Sequence, residues 1–200
     1  MARPESSSSG GAGPGGAPAV PRRDLAAAFE EQAARVGAIV HRTPRDGAAA
    51  HAAQIFREAA CRTVALADAV PERSVLAQAL GEAGLSLVPA RDLRPTRRAD
   101  GGISWAKLGV AETGSTLLHS TSEDRRVELC VDVHLVLLAG GALVPTLDAA
   151  FAALRAIGAR PPAYASLVSG PSRSADIERQ LTIGVHGPRA LHVLLLEDGS

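Results

Sequence analysis

The chain is short of several things, and each shortage excludes something. One Trp, one Tyr and three Phe in 200 residues leave a core that must be built from aliphatic side chains and alanine. There are two cysteines, Cys61 and Cys130, and neither lies in a CxxC. That excludes a disulfide framework and a cysteine-based zinc or iron–sulfur site, and it suits a reducing cytoplasm. Lysine occurs once, at Lys107, and asparagine not at all; the excess of arginine reads as GC-rich coding rather than chemistry. Net charge is zero, with 21 basic and 21 acidic residues. A basic face able to neutralise phosphates, or to hold an anionic membrane surface, is therefore not expected. No apolar run approaches the ~18 residues of a membrane-spanning helix. No GxGxxG follows a strand and no GxxxxGK[ST] occurs, so dinucleotide and P-loop nucleotide sites lack support.

What is present falls into two parts. Residues 1–23 are dominated by Ser, Gly, Ala and Pro, a composition that cannot bury enough apolar surface to offset its ordering entropy; it reads as a disordered tail. Residues 24–200 read as one domain. Its first segment, 24–60, is expected to be helical. Asp24–Val40 places Leu25, Phe29, Val36, Ile39 and Val40 on one face, and a second helix covers Asp46–Ala60.

The period then changes. Thr63–Ala67 reads as a strand, Pro71 opens a helix that Gly84 ends, and Leu85–Val88 is a second strand, which makes a βαβ unit. Residues 89–101 form a loop carrying Arg91, Arg94, Arg97 and Arg98, either solvated or an anion-attracting lid. Leu108–Glu112 and Thr116–Ser120 flank a Thr-Gly-Ser turn. Val133–Leu138 is a buried strand. Pro145–Ile157 is a helix with Leu147, Phe151 and Leu154 inward, and Ala165–Val168 and Leu191–Leu196 are further strands. The alternation predicts an α/β domain with a mostly parallel sheet flanked by helices.

Three motifs could carry chemistry. In Ala111-Glu112-Thr113-Gly114-Ser115-Thr116 a strand ends in a tight turn with hydroxyls and N–H groups beside a carboxylate. Glu112 could act as base or nucleophile, with Thr113, Gly114 and Ser115 gripping an oxyanion, or the turn could satisfy only itself. Ser169–Glu178 follows an apolar strand and is expected to enter a short helix, which would aim N–H groups, Gly170, Ser172, Arg173 and Ser174 at a carboxylate or phosphate, with Asp176 nearby. The ligand is expected at the C-terminal ends of the strands. Finally, Gly184–Arg189 surrounds His186 with Gly187 and Pro188; His186 could be a general acid or base, or a turn histidine. A Ser172–His186–Asp176 triad can be composed, but no GxSxG elbow supports it. Asp132 and His134 share one face of a strand, and His119 and His192 sit singly on apolar strands. No metal site is expected from these.

Taken together, Ala111–Ser115, Asp132-Val133-His134, Val144-Pro145-Thr146, Ser169–Glu178 and Gly184–Leu195 resemble the LUD domain of the lactate utilisation protein C type, also called YkgG-like. The resemblance runs from about residue 105 to the end. Ser115 stands where that family usually has threonine, which keeps the hydroxyl. The resemblance implies a fold akin to the sugar-phosphate isomerase and CoA-transferase group. It also implies a cytoplasmic bacterial protein acting in oxidation of L-lactate to pyruvate. Its partners would be proteins carrying iron–sulfur clusters, with no cofactor in this chain. Two other readings stand beside it: an autonomous acyl- or CoA-transferase or sugar-phosphate isomerase using Glu112, and a non-catalytic ligand-binding scaffold.

Overall fold

Helix formers run from Arg22 to Arg35 and stop where Gly37 and two β-branched residues follow. The computed structural model, which describes residues 22–156, 164–174, 182–183 and 187–197, ends helix α1 (Arg22–Arg35) at that point. The Ala38 N–H donates to the Ala33 carbonyl at 2.9 Å and Gly37 N–H to Ala34 at 3.0 Å, a glycine-closed helix end. Ile39 and Val40 therefore do not continue the helix. They open strand β1 (Ile39–Pro44), which corrects the expectation of an all-helical 24–60 segment. Arg22 and Arg23, counted with the tail, belong to α1; the rest of the tail lies outside the described residues.

The chain continues through α2 (Ala48–Glu58), β2 (Thr63–Leu66), α3 (Arg73–Glu82), β3 (Ser86–Val88), β4 (Ala99–Val110), β5 (Ser115–Ser120) and α4 (Asp124–Leu129). It then forms β6 (Val131–Ala139), β7 (Leu143–Val144), α5 (Leu147–Ala156), β8 (Tyr164–Val168), β9 (Arg173–Ser174), β10 (Thr182–Ile183) and β11 (Ala190–Glu197). The central order is β1-β11-β6-β4-β2-β3, all parallel. The predicted βαβ unit is β2-α3-β3. Strand β4 starts at Ala99, inside the expected loop, and is long enough to serve two layers. Its first half pairs with β2 and β6; its second half pairs with β7 and runs antiparallel to β5, which carries β8. The sheet is thus mostly parallel, with an antiparallel arm.

Both faces of the central strands are apolar, so β6 and β11 read as continuous hydrophobic runs. Leu135, Leu137, Leu194 and Leu196 pack with Phe56 of α2 and with Leu76 and Leu80 of α3. Val136, Leu138, Val193 and Leu195 pack on the opposite face with Phe29 and Ala33 of α1. Each such leucine or valine contributes about 1.5–3 kcal/mol by leaving water. Gly102 of β4 lacks the side chain that would strike Val127 of α4, 2.8 Å from an added Cβ, so α4 can lie against β4.

Two further expectations are corrected. In α5 it is Ala150 that is buried, while Phe151 is 48% exposed. Residues 173–174 do not open a helix: they form β9, antiparallel to β10. The polypeptide between these two strands lies outside the described residues.

Candidate functional site

The Glu112 motif forms the β4–β5 turn, and its contacts are local. Glu112 Oε2 accepts a hydrogen bond from the Leu147 N–H at 3.0 Å, so this exposed carboxylate caps the start of α5, where a negative charge also meets the positive end of the helix dipole. Thr113 Oγ1 and Ser115 Oγ are hydrogen-bonded at 2.7 Å, and Ser115 Oγ and Ser169 Oγ at 2.5 Å. Gly114 has φ +64°, and a Cβ there would fall 2.1 Å from the Ala33 nitrogen. Gly170 has φ +87°, with a Cβ position 2.1 Å from the Val36 carbonyl oxygen. That same oxygen accepts from Arg173 Nη2 at 2.7 Å. The two glycine motifs therefore meet, and what they grip is the end of α1. Ser169, the hydroxyl that joins them, opens the second sequence motif but was given no binding role there.

A second arrangement draws on the other side of the same motifs. A cleft of about 230 Å³ is lined by Gly170, Ser172 and Gly187 together with Arg125, Glu128, His134 and Ser166, and by the apolar Leu129, Val168, Pro188 and Leu191. It lies at the N-terminal ends of β6 and β11, not at the C-terminal ends where the ligand was expected. A gap at the C-terminal ends, beside Arg45 and Trp105, measures about 40 Å³, room for about three waters at ~15 Å³ each. A broader depression of about 600 Å³ on α2, along Gln54, Arg57 and Glu58, has no buried polar side chain.

Among the described residues, the cleft has two buried ionisable groups. His134 is 1% exposed, set between Gly102 and Leu191 in the register of the sheet. Its Nε2 lies 2.9 Å from Ser104 Oγ. Burial pushes its pKa down to about 4, so the ring is neutral near pH 7. Glu128 is 6% exposed and accepts a hydrogen bond from the Ser120 hydroxyl through Oε1. Burial raises its pKa, reinforced by the neighbouring Asp124 and opposed by the Ser120 hydrogen bond and Arg125. Arg125 donates from Nη1 to Ser166 Oγ at 2.7 Å and lies 4.7 Å over the Tyr164 ring.

The rim is fixed by Arg98. It pairs with Asp132 Oδ1 at 3.1 Å and donates to the carbonyls of Leu129, at 3.2 Å, and Gly187, at 3.1 Å. Arg189 takes the other Asp132 oxygen at 3.1 Å. One arginine of the 89–101 loop is thus built into the framework of the cleft, and Asp132 serves as its anchor. Ser172 N–H donates to the Pro188 carbonyl at 2.9 Å, which ties the Gly170–Arg173 segment to the Gly187 segment.

Of the residues singled out from sequence, Gly170, Ser172 and Gly187 line the cleft. Thr113, Gly114, Ser115 and Arg173 belong to the clamp on α1, and Glu112 caps α5. Ser174 pairs in β9, and Asp176 and His186 lie outside the described residues. Sequence reasoning passed over Arg125 and Glu128, whose helix α4 has no recognisable motif; two arginines among acids read as a solvated surface. Away from the cleft, His41 Nε2 and His192 Nδ1 are 3.0 Å apart across the β1–β11 seam, with the His51 ring edge-on to His41. Among the described residues no group of three or more His, Cys, Asp or Glu is arranged to hold a metal ion.

The LUD domain family model matches residues 26–196. The chain belongs to the LUD domain family. Lactate utilization protein C of Halalkalibacterium halodurans is 35% identical over 112 residues, covering 54% of this chain and 49% of that protein. The protein of the same name in Bacillus subtilis is 31% identical over 111 residues, 54% and 46% of the two chains. An uncharacterized protein of Neisseria meningitidis is 29% identical over 154 residues, 72% of this chain and 66% of its own. The alignments to the two Lactate utilization protein C relatives span about half of their length. The crystal structure of a DUF162 family protein from Deinococcus radiodurans superposes with a TM-score of 0.60 at 20% identity, covering 89% of this chain and 99% of that one. It shares the fold of this LUD domain. No helix among the described residues is long and apolar enough to cross a membrane.

Proposed function

We propose that this LUD domain protein acts in lactate utilisation, as a cytoplasmic subunit in the oxidation of L-lactate to pyruvate. In this reading its partners carry the iron–sulfur clusters and the electrons, and the chain itself binds the small carboxylate. The relatives named Lactate utilization protein C support the role. The observation that carries the binding part is the cleft. Among the described residues lining it, Arg125 supplies the guanidinium, which stands beside the Ser166 hydroxyl and within reach of two glycine-bearing segments. A guanidinium among hydroxyls suits a planar carboxylate. The volume is below the roughly 300–1,000 Å³ typical of pockets for drug-sized ligands and fits a molecule of a few heavy atoms. The same residues make no case for an autonomous transferase, which would need Glu112 as nucleophile; that carboxylate is engaged with the first turn of α5.

Deleting the gene in its native host tests the role. Growth on L-lactate as sole carbon source should be lost, and restored by a plasmid copy. Unimpaired growth on L-lactate would contradict it.

A further inference from the structure

Two buried side chains lining the cleft each leave one polar atom without a partner among the described residues. Glu128 uses Oε1 to accept from Ser120, and Oε2 has no partner among the described residues. His134 uses Nε2 toward Ser104, and Nδ1 likewise has no partner among them. Both side chains are more than nine-tenths buried, at 6% and 1% exposure, and both line the same cleft as Arg125. Thr116 Oγ1 is the side-chain atom among the described residues that is enclosed without a partner; the two atoms here belong to side chains that line the cleft. Here the space in front of them is the partner's place.

We propose that Glu128 and His134 recognise the C2 oxygen of a short 2-oxo or 2-hydroxy monocarboxylate whose carboxylate lies on Arg125. This rests on the carboxylate reading above and makes it specific. A plain carboxylate would satisfy Arg125 and leave both atoms unpartnered; an oxygen on the adjacent carbon satisfies them. Burial raises the Glu128 pKa and so favours its protonated form, in which the carboxyl donates to a carbonyl oxygen that can only accept. The apolar Leu129, Val168 and Leu191 accommodate the short hydrocarbon end.

The test is titration of the purified chain with pyruvate, L-lactate and propionate, the last differing only in lacking the C2 oxygen. A net hydrogen bond inside a cleft corresponds to about tenfold in affinity. Pyruvate should bind about tenfold or more tighter than propionate, with L-lactate between them. Glu128→Leu should bring pyruvate to the level of propionate while propionate itself moves less than about threefold, and Glu128→Gln, which keeps a donor, should restore most of the preference. If Glu128→Leu does not fold, infrared spectroscopy reads the same group: the protonated carboxyl band lost in Glu128→Gln should shift when pyruvate is added to the wild type. Equal binding of propionate and pyruvate, a preference that survives Glu128→Leu, or a band that does not move would overturn this inference and leave the carboxylate reading standing. Failure of all three acids to bind would overturn both.

Discussion

Gly114 shows how a residue that reads as ligand-binding in a sequence can carry a structural duty. A glycine between two hydroxyl residues beside a glutamate reads as an oxyanion turn. In the structure its positive φ and missing side chain let the turn press against the backbone of α1. Gly114→Ala should therefore cost far more than the roughly 1 kcal/mol of putting alanine into a left-handed conformation, because the new Cβ has backbone in its way. Gly84 is the control: its φ is +80° with nothing within 4 Å of the Cβ position, so Gly84→Ala should cost only about 1 kcal/mol. Chemical denaturation of the two variants checks the difference, and equal losses would contradict the clamp. Arg173 teaches the same lesson. Its guanidinium was read as an anion grip, and Nη2 is occupied by the Val36 carbonyl.

At the scale of elements, most of the sheet was legible because strands buried on both faces write themselves as unbroken apolar runs. Val133–Leu138 and Leu191–Leu196 are such runs, and both lie inside observed strands. The βαβ unit was legible from Pro71, Gly84 and the short apolar segments around them. What failed has physical causes. Ile39 and Val40 fit the helical face of α1 by spacing, and the helix-ending signal of Gly37 followed by β-branched residues was outweighed by that periodicity. The helix expected within Ser169–Glu178 does not begin at Arg173, since β8 sits on the antiparallel arm, paired with β5, and Arg173–Ser174 pair in β9; residues 175–178 lie outside the described residues. The antiparallel arm also moved the expected ligand position. The rule placing ligands at C-terminal strand ends applies to open parallel sheets, and here the arm and α4 enclose space at the opposite end. Of the site, the glycines and Ser172 were legible because glycine punctuates; Arg125 and Glu128 were not, since only tertiary packing buries a charged residue of a short helix.

For the whole molecule, buried neutral histidines set a dependence of stability on pH. His134 and His192 have pKa values pushed down to about 4 by burial, and His41 is lowered as well by burial and His51. A lowered folded-state pKa means the unfolded chain binds the proton more readily, so stability is complete above about 6.5 and is lost as pH falls below it. The His41–His192 hydrogen bond also requires one unprotonated nitrogen, so double protonation removes it. Glu128 acts in the opposite sense: with its pKa raised, its contribution is present at low pH and declines as pH rises through its folded value. The histidines outnumber it. His134 alone corresponds to about 2 kcal/mol between roughly pH 6.5 and pH 5, or about 4–8 °C in Tm for a domain of this size. Calorimetry across that range should show Tm falling by at least several degrees; a flat profile would contradict neutral burial of these rings.

The central claim is that the cleft at the N-terminal ends of β6 and β11 binds a small carboxylate through Arg125. It is tested most directly by the shift in Tm on adding pyruvate or L-lactate to the wild type, Arg125→Gln and Glu112→Gln. Ligand at 100 times its Kd contributes about 2.7 kcal/mol, equivalent to roughly 5–10 °C. The shift should appear in the wild type, persist in Glu112→Gln, whose residue only caps α5, and vanish in Arg125→Gln. No shift in the wild type, or a full shift in Arg125→Gln, would contradict the account.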